Sequence, residues 1–445
     1  MHHAALNLPD LMISLWRGTL ECDTNRGDAL SAWAWAVLRG DVWKAHGKTV
    51  ADATPYLPTL FDRAPRNPAE KINSGYKAAE YLNYIYVLGP GLLYKLLPEP
   101  YYRNFCNLVC AIRILHQRSI SLSDLRRAHQ LVITFVRDYE RLYYAGKTAR
   151  IHFVRQSVHS LTHLAREIQL FGPPGLYSQW TMERTIGNLG QEIRQPSNPY
   201  ANLSQRAVRR AQINAIMSLV PSLNPSNASS NGNVRLAYHL GRGFSFRPAR
   251  DTTSVVLSVA HNVALQSYIS RITGRPRSNS QLQVMRWARL VLPNGNIARS
   301  AWKENLKAHG SGKRIARNAR DVATRSLYIA EVLYYFVHHI AGQDIGLAMV
   351  HRYSDPDQSL LEKSSGALVA CDLDRRSVEV IEVKTILSVV GMVPLPLFGA
   401  LPGYPSASSL PYLPQPEFVT RFFLAEKLGL DIMRLDGSNA QDDED

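Results

Sequence analysis

The sequence predicts a mixed, mainly α protein that ends in a small β-rich domain. Three observations carry that expectation. Residues 1–150 repeat apolar side chains at helical spacing, residues 151–330 concentrate positive charge, and after residue 327 short apolar runs alternate with turn residues. The 445 residues leave room for two to four domains and a sizeable core. At 45% hydrophobic and 20% charged, the composition is that of a globular chain.

The helical block opens with an apolar run over residues 6–18 (Leu6, Leu8, Leu11, Met12, Leu15, Trp16) that Gly18 ends. Residues 29–45 bring Trp33, Trp35 and Trp43 among small apolar neighbours, which marks a packing segment. Pro55, Pro58, Pro65 and Pro68 make residues 53–68 an extended connector, because proline lacks an amide hydrogen and fixes its backbone. A tyrosine- and leucine-rich helix is expected over 76–96, interrupted by Gly89-Pro90-Gly91, and another over 101–118. The helix expected at 121–145 carries Leu125, Ala128, Val132, Phe135, Val136, Tyr139 and Leu142 on one face, with Ser121 or Ser123 as its cap.

Residues 152–170 read as one further helix carrying His152, His159 and His163. The four-residue spacing puts His159 and His163 on one face, either as a metal pair or as packed or hydrogen-bonded structural residues. Residues 221–233 form a polar, turn-rich linker, and residues 234–325 are mixed and basic. Trp287 and Trp302 within them could stack on bases or belong to a small core. Strands are expected at 328–337, 345–353, 366–373, 378–383, 387–393 and 418–425, a spacing that suits a small barrel or sandwich. Asp357 and Glu382-Val383-Lys384 imitate a nuclease site, but strand alternation alone accounts for them. The expected divisions are 1–150 helical, 151–220 helical, 221–326 basic linker, 327–430 small β-barrel-like and 431–445 acidic tail.

No apolar run reaches the roughly eighteen residues of a membrane span. The start MHHAALNLPDLMISLW has neither the basic residues nor the cleavage site of a signal peptide. Four scattered cysteines, Cys22, Cys106, Cys110 and Cys371, do not build a disulfide framework, so a reducing compartment is expected. Residues 151–330 hold 24 Lys and Arg against 6 Asp and Glu, leaving 27 against 30 in the rest of a chain that totals 51 and 36. The whole surplus sits in the middle and is mostly arginine, whose planar fork suits phosphate. Such a segment either attracts polyanions or is an unusually basic solvated surface.

Within the stretch 159–214 one acid, Glu183, stands beside Tyr177 and Trp180, with Arg184, Arg194, Arg206, Arg209 and Arg210 downstream. A carboxylate beside aromatics with a basic helix behind it suits either a metal-dependent nucleic-acid site or a buried helix junction. The candidate phosphate contacts are these five arginines together with Arg275, Arg277, Lys313, Arg314 and Arg317.

The words LPDLMISLWRGTLECD, RNPAEKINSGYKAAEYLNYIYVLGPGLLY, IHFVRQSVHSLTHLAREI, GPPGLYSQWTMERTIGNLGQEIRQPSNPYANLSQR and LPNGNIARSAWKE together resemble the C-terminal half of fungal CACTA (En/Spm)-type transposases. The β-rich end, with AEVLYYF and VEVIEVKTI, is similar to the small C-terminal domain of that family. The resemblance implies an RNase H-like core with a helical insertion, in which three acids hold two Mg2+ or Mn2+ ions. Glu183, in the word Trp-x-x-Glu-Arg, matches the third acid and so would be both catalytic residue and metal ligand, with Trp180 structural. The family's Asp-x-x-His element has only Met1-His2 as its counterpart, and neither Asp10 nor Asp23 matches the first two acids. The expectation is a truncated, nuclear, DNA-binding protein without strand cleavage of its own. One alternative is a subunit of an active transposase, or a fragment of one cut short of an upstream exon, with the full-length chain as a partner. Another is a non-DNA interaction protein.

Overall fold

The computed structural model describes residues 2–21, 28–193, 197–223, 237–278, 280–305, 314–323, 326–399, 410–414 and 419–429. It is mixed α/β, about 49% helix and 21% strand, with antiparallel sheets. Two compact units divide the chain: residues 177–238 form one, and residues 2–176 with 239 onward form the other.

In the larger unit, apolar spacing produces a densely packed helical part. Helix Leu8–Arg17 buries seven of its ten residues and stops at Gly18, whose φ of 66° is left-handed. A side chain there would also meet Leu30 at 2.8 Å. Helix Glu99–Leu115 buries twelve of seventeen residues. Helix Leu122–Tyr139 starts at Ser121, whose hydroxyl accepts the Asp124 N–H at 3.1 Å, as its capping pattern implies. Burial keeps Cys106 and Cys110 as free thiols, with their pKa values pushed up.

Two expectations here need correction. Gly89-Pro90-Gly91 does not interrupt its helix: a wider π turn over Asn83–Leu88 leads into helix Gly89–Leu92, and Pro90 sits at the start of that turn. Gly91 is required because a Cβ there would stand 2.5 Å from the Phe423 ring. Residues 152–170 are not one helix either. They break into Gln156–His159, a 3-10 turn Ser160–His163 and Leu164–Phe171. Side-chain hydroxyls bond the local backbone there, with Ser160 donating to the Gln156 carbonyl and Thr162 to the His159 carbonyl.

One buried hub fixes this part. Asp28 accepts two bonds from Arg150 (2.5 and 2.6 Å), one from Trp33 Nε1 (2.8 Å) and one from Lys147 (3.1 Å). The Arg150 guanidinium holds its carboxyl well below the usual range.

The nine-stranded sheet consists of β1 (Tyr238–Gly241), β2 (Phe244–Arg250), β3 (Trp287–Val291), β4 (Ile297–Arg299), β5 (Asn318–Ala323), β6 (Ser326–Ile340), β7 (Gln343–Arg352), β8 (Glu379–Glu382) and β9 (Ile386–Val389). Its path runs β1-β2-β3-β6-β5-β9, with β4 on β3, β7 on β6 and β8 on β7. The run β9-β5-β6-β7-β8, laid flat, would part its outer strands by about 19 Å. Yet β8 and β9 are joined through the three-residue turn Val383–Thr385, a path of at most about 14 Å. The sheet must therefore roll. A separate three-stranded sheet (Ala370–Asp372, Gly391–Pro394, Arg421–Ala425) places Ala370, Val393, Phe423 and Ala425 in the core of the helical part.

The boundary expected at 326/327 is wrong. β5 and β6 pair from Asn318–Glu331 to Ala323–Ser326, so the described residues between 238 and 323 contribute strands to the sheet rather than a linker. Their strands are short and interrupted by helix Val259–Thr273, which left no alternation long enough to read.

The smaller unit holds helices Trp180–Glu192 and Pro199–Leu219. None of the second helix's residues is buried, and Val208, Ile213, Ile216 and Leu219 are exposed.

Candidate nucleic-acid interface

The positive charge of the middle region resolves into cations with partners and cations without. Arg317 pairs with Glu331 at 2.7 Å and donates to Asn305, and the buried Arg320 pairs with Glu426 at 2.5 Å. Arg314 is half-buried and donates to the Pro58 carbonyl. Arg286 is held by Asp251 at 2.8 Å. The expected phosphate contacts Arg314 and Arg317 are thus structural residues. In the smaller unit Arg210 is tied to Glu192, while Arg184 and Arg209 are exposed and Arg206 is half-exposed. Arg275 and Arg277 are exposed in the loop after helix Val259–Thr273. Arg194, Lys313 and the Trp180 side chain lie outside the described residues.

A different cluster emerges from strand register. Arg247 on β2 is directly opposite Arg289 on β3, and Arg289 is directly opposite Arg299 on β4. Directly opposed residues of antiparallel strands project from the same face. With neighbouring strands about 4.8 Å apart, the three arginines make a row about 10 Å long. Arg247 and Arg289 are exposed and, among the described residues, form no ion pair. Arg299 is half-buried, 3.9 Å from Glu304 and bonded to the Arg314 carbonyl. Arg250 lies near the row, its guanidinium 5.3 Å from the Trp287 ring centre.

Like charges directly opposite one another destabilise a sheet by a fraction of a kcal/mol to about 1 kcal/mol each. Three in line form a site whose repulsion an anion would relieve. Arginine adds bidentate geometry to charge, which suits phosphate oxygens.

The tryptophans do not serve this face as base platforms. Trp287 is buried and packs on Phe246 at 5.8 Å. Trp302 is occupied on the protein's own account, with Arg286 at 4.6 Å and Lys303 at 4.1 Å from its ring centre. The row therefore offers charge without stacking.

Glu183 lies in the first turn of helix Trp180–Glu192, exposed, and has no ion-pair partner among the described residues. No three His, Cys, Asp or Glu residues gather as a metal group among the described residues. A two-metal centre needs several hard oxygen ligands, and one exposed carboxylate does not fit it. The nuclease imitation also dissolves: Asp357 caps helix Gln358–Lys363 and pairs with Arg421, while Glu382 belongs to β8. His159 and His163 are exposed and hydrogen-bonded to each other, Nε2 to Nε2 at 3.3 Å, so they are paired rather than packed in the core.

Arg247 and Arg299 do not stand out in the sequence, and Arg289 is visible there only as one of a loose basic cluster. The available signal is FSFR, WARL and IAR, three short runs that each set an arginine among apolar residues. No helix among the described residues is long and apolar enough to cross a membrane. No family model, curated protein or solved structure matches the chain.

Proposed function

We propose that this chain is a transposase-derived DNA-binding protein that grips the phosphate backbone through the row Arg247–Arg289–Arg299. The observation that carries the reading is the direct register opposition of three arginines, two of them without ion pairs among the described residues. Arg275 and Arg277 add exposed positive charge to the same unit, and Arg184, Arg206 and Arg209 add it to the smaller one. With the tryptophans engaged inside the protein, the contact is to phosphate and largely insensitive to base sequence.

The resemblance to CACTA-type transposases supplies the origin: a helical insertion, the last helices of an RNase H-like core carrying Glu183, and a β-rich C-terminal domain. It implies a nuclear protein, with DNA and a full-length transposase chain as partners. In that setting Glu183 is one corner of a three-acid site.

Fluorescence anisotropy on a labelled 20-base-pair duplex, run from about 50 to 200 mM salt, tests the reading. Affinity that falls steeply and equally for unrelated sequences supports it. An affinity indifferent to salt, or no binding at the lowest salt, refutes it.

A further inference from the structure

We infer that His159 and His163 form a surface chelate for a borderline-soft divalent ion, with Zn2+, Ni2+ and Cu2+ as the fitting class. This rests on the histidine geometry alone and is independent of the DNA-binding proposal. The two Nε2 atoms are hydrogen-bonded to each other at 3.3 Å, a contact whose proton the ion would replace, with the ring centres 5.1 Å apart and the ring planes 77° from parallel. Two nitrogens each about 2.0–2.1 Å from one tetrahedral ion are separated by about 3.3–3.4 Å. The pair already has that bite. Both rings are exposed, so neither contributes to the core and both are open to a metal from solvent.

The backbone beneath the pair is anchored. Val158 and Leu161 are buried on either side of His159, which ties the junction between helix Gln156–His159 and the turn Ser160–His163 to the core. The Ser160 bond to Gln156 (2.8 Å) and the Thr162 bond to the His159 carbonyl (2.7 Å) fix the intervening residues. Such anchoring lowers the ordering cost that a flexible histidine pair would carry on binding.

The donor chemistry sets the selectivity. Two imidazoles suit Cu2+, Ni2+ and Zn2+, with Cu2+ first in the general affinity order, and do not suit Mg2+, which demands hard oxygen ligands. Among the described residues no third His, Cys, Asp or Glu completes a three-donor group. Water, or a donor from a bound partner, fills the remaining positions, so binding is labile.

Calorimetric titration of the full chain with Ni2+ and with Zn2+ at pH 7.5 tests the inference. The expected result is one site that loses at least tenfold in affinity in His159→Ala and again in His163→Ala, with thermal unfolding unchanged because both rings are exposed. His2→Ala/His3→Ala should leave that site intact, and Mg2+ should give no heat. A double variant, His159→Gln/His163→Gln, that binds Ni2+ and Zn2+ as the natural chain does would overturn the assignment. So would loss of the site in the His2/His3 variant.

Discussion

The cations of the helical part and those of the β2–β3–β4 face stand in opposite circumstances. In the helical part, Arg150 is buried on Asp28, and Arg66 bonds the fully buried Glu80 at 2.6 Å. Arg113 donates to the carbonyls of Tyr86, Val87 and Ala367. Every one of those guanidinium groups is used by the fold. On the sheet face, Arg247 and Arg289 instead meet each other and Arg299. Charge that satisfies a buried carboxylate is structural, whereas charge set against like charge calls for a partner outside the chain. A net charge of +15 does not distinguish the two.

Breaking the internal use of charge gives the largest effect. Asp28→Asn leaves Arg150 buried without its counter-charge, and should cost about 3–5 kcal/mol of stability. Urea unfolding would register this as a lower midpoint. DNA affinity of the folded variant should be unchanged, because Arg150 is not part of the sheet face.

Acid should attack the same part next. His46 is fully buried, with Nε2 2.8 Å from the Tyr84 hydroxyl, and burial lowers its pKa to about 3. A depressed folded value means that only the unfolded chain takes the proton at mildly acidic pH. Stability is therefore complete above about pH 6.5 and falls as pH drops toward 3. By pH 4.5 the loss from this residue should be about 2–3 kcal/mol. Below about pH 4 the Asp28 pair adds to it, since its lowered carboxyl value contributes stability only above the ordinary carboxylate range. Unfolding midpoints in urea from pH 7.5 to 4.5 would trace the decline, and His46→Gln should flatten it.

Relieving the opposed charges should have a smaller effect of the opposite sign. Arg289→Thr removes the central cation, with a residue that favours strands, and should stabilise the fold by up to about 1 kcal/mol. The same substitution should weaken DNA binding. A variant more stable yet poorer in binding is the signature of a residue kept for a ligand. Smallest of all, Ile213→Ser on helix Pro199–Leu219 should move stability by less than about 0.5 kcal/mol, because that side chain is 55% exposed. Thermal melts of both variants would settle their signs.

What could be read from the sequence follows from the range of each interaction. Helix Leu122–Tyr139 was legible because its apolar face and its Ser121 cap both repeat within a few residues. The single helix expected at 152–170 failed because hydroxyl-to-backbone bonds compete with helical ones, and spacing does not report that contest. The arginine row was hidden for a different reason: Arg247 and Arg289 become neighbours only through strand register, across an intervening helix. Arg317 looked free because its partner, Glu331, lies across a strand pair. Glu183 drew attention through its neighbours' identity, and its exposed place in a helical first turn neither buries it in a junction nor supplies it with fellow ligands among the described residues.

The most direct measurement is the salt dependence of duplex binding for the natural chain and for Arg247→Gln/Arg289→Gln/Arg299→Gln. Each phosphate contact contributes about 0.9 to the slope of log affinity against log salt. The triple variant should keep its fold, bind more weakly at every salt concentration, and show a slope shallower by about two to three. An unchanged slope and affinity in a folded triple variant would contradict the claim that this row holds the DNA backbone.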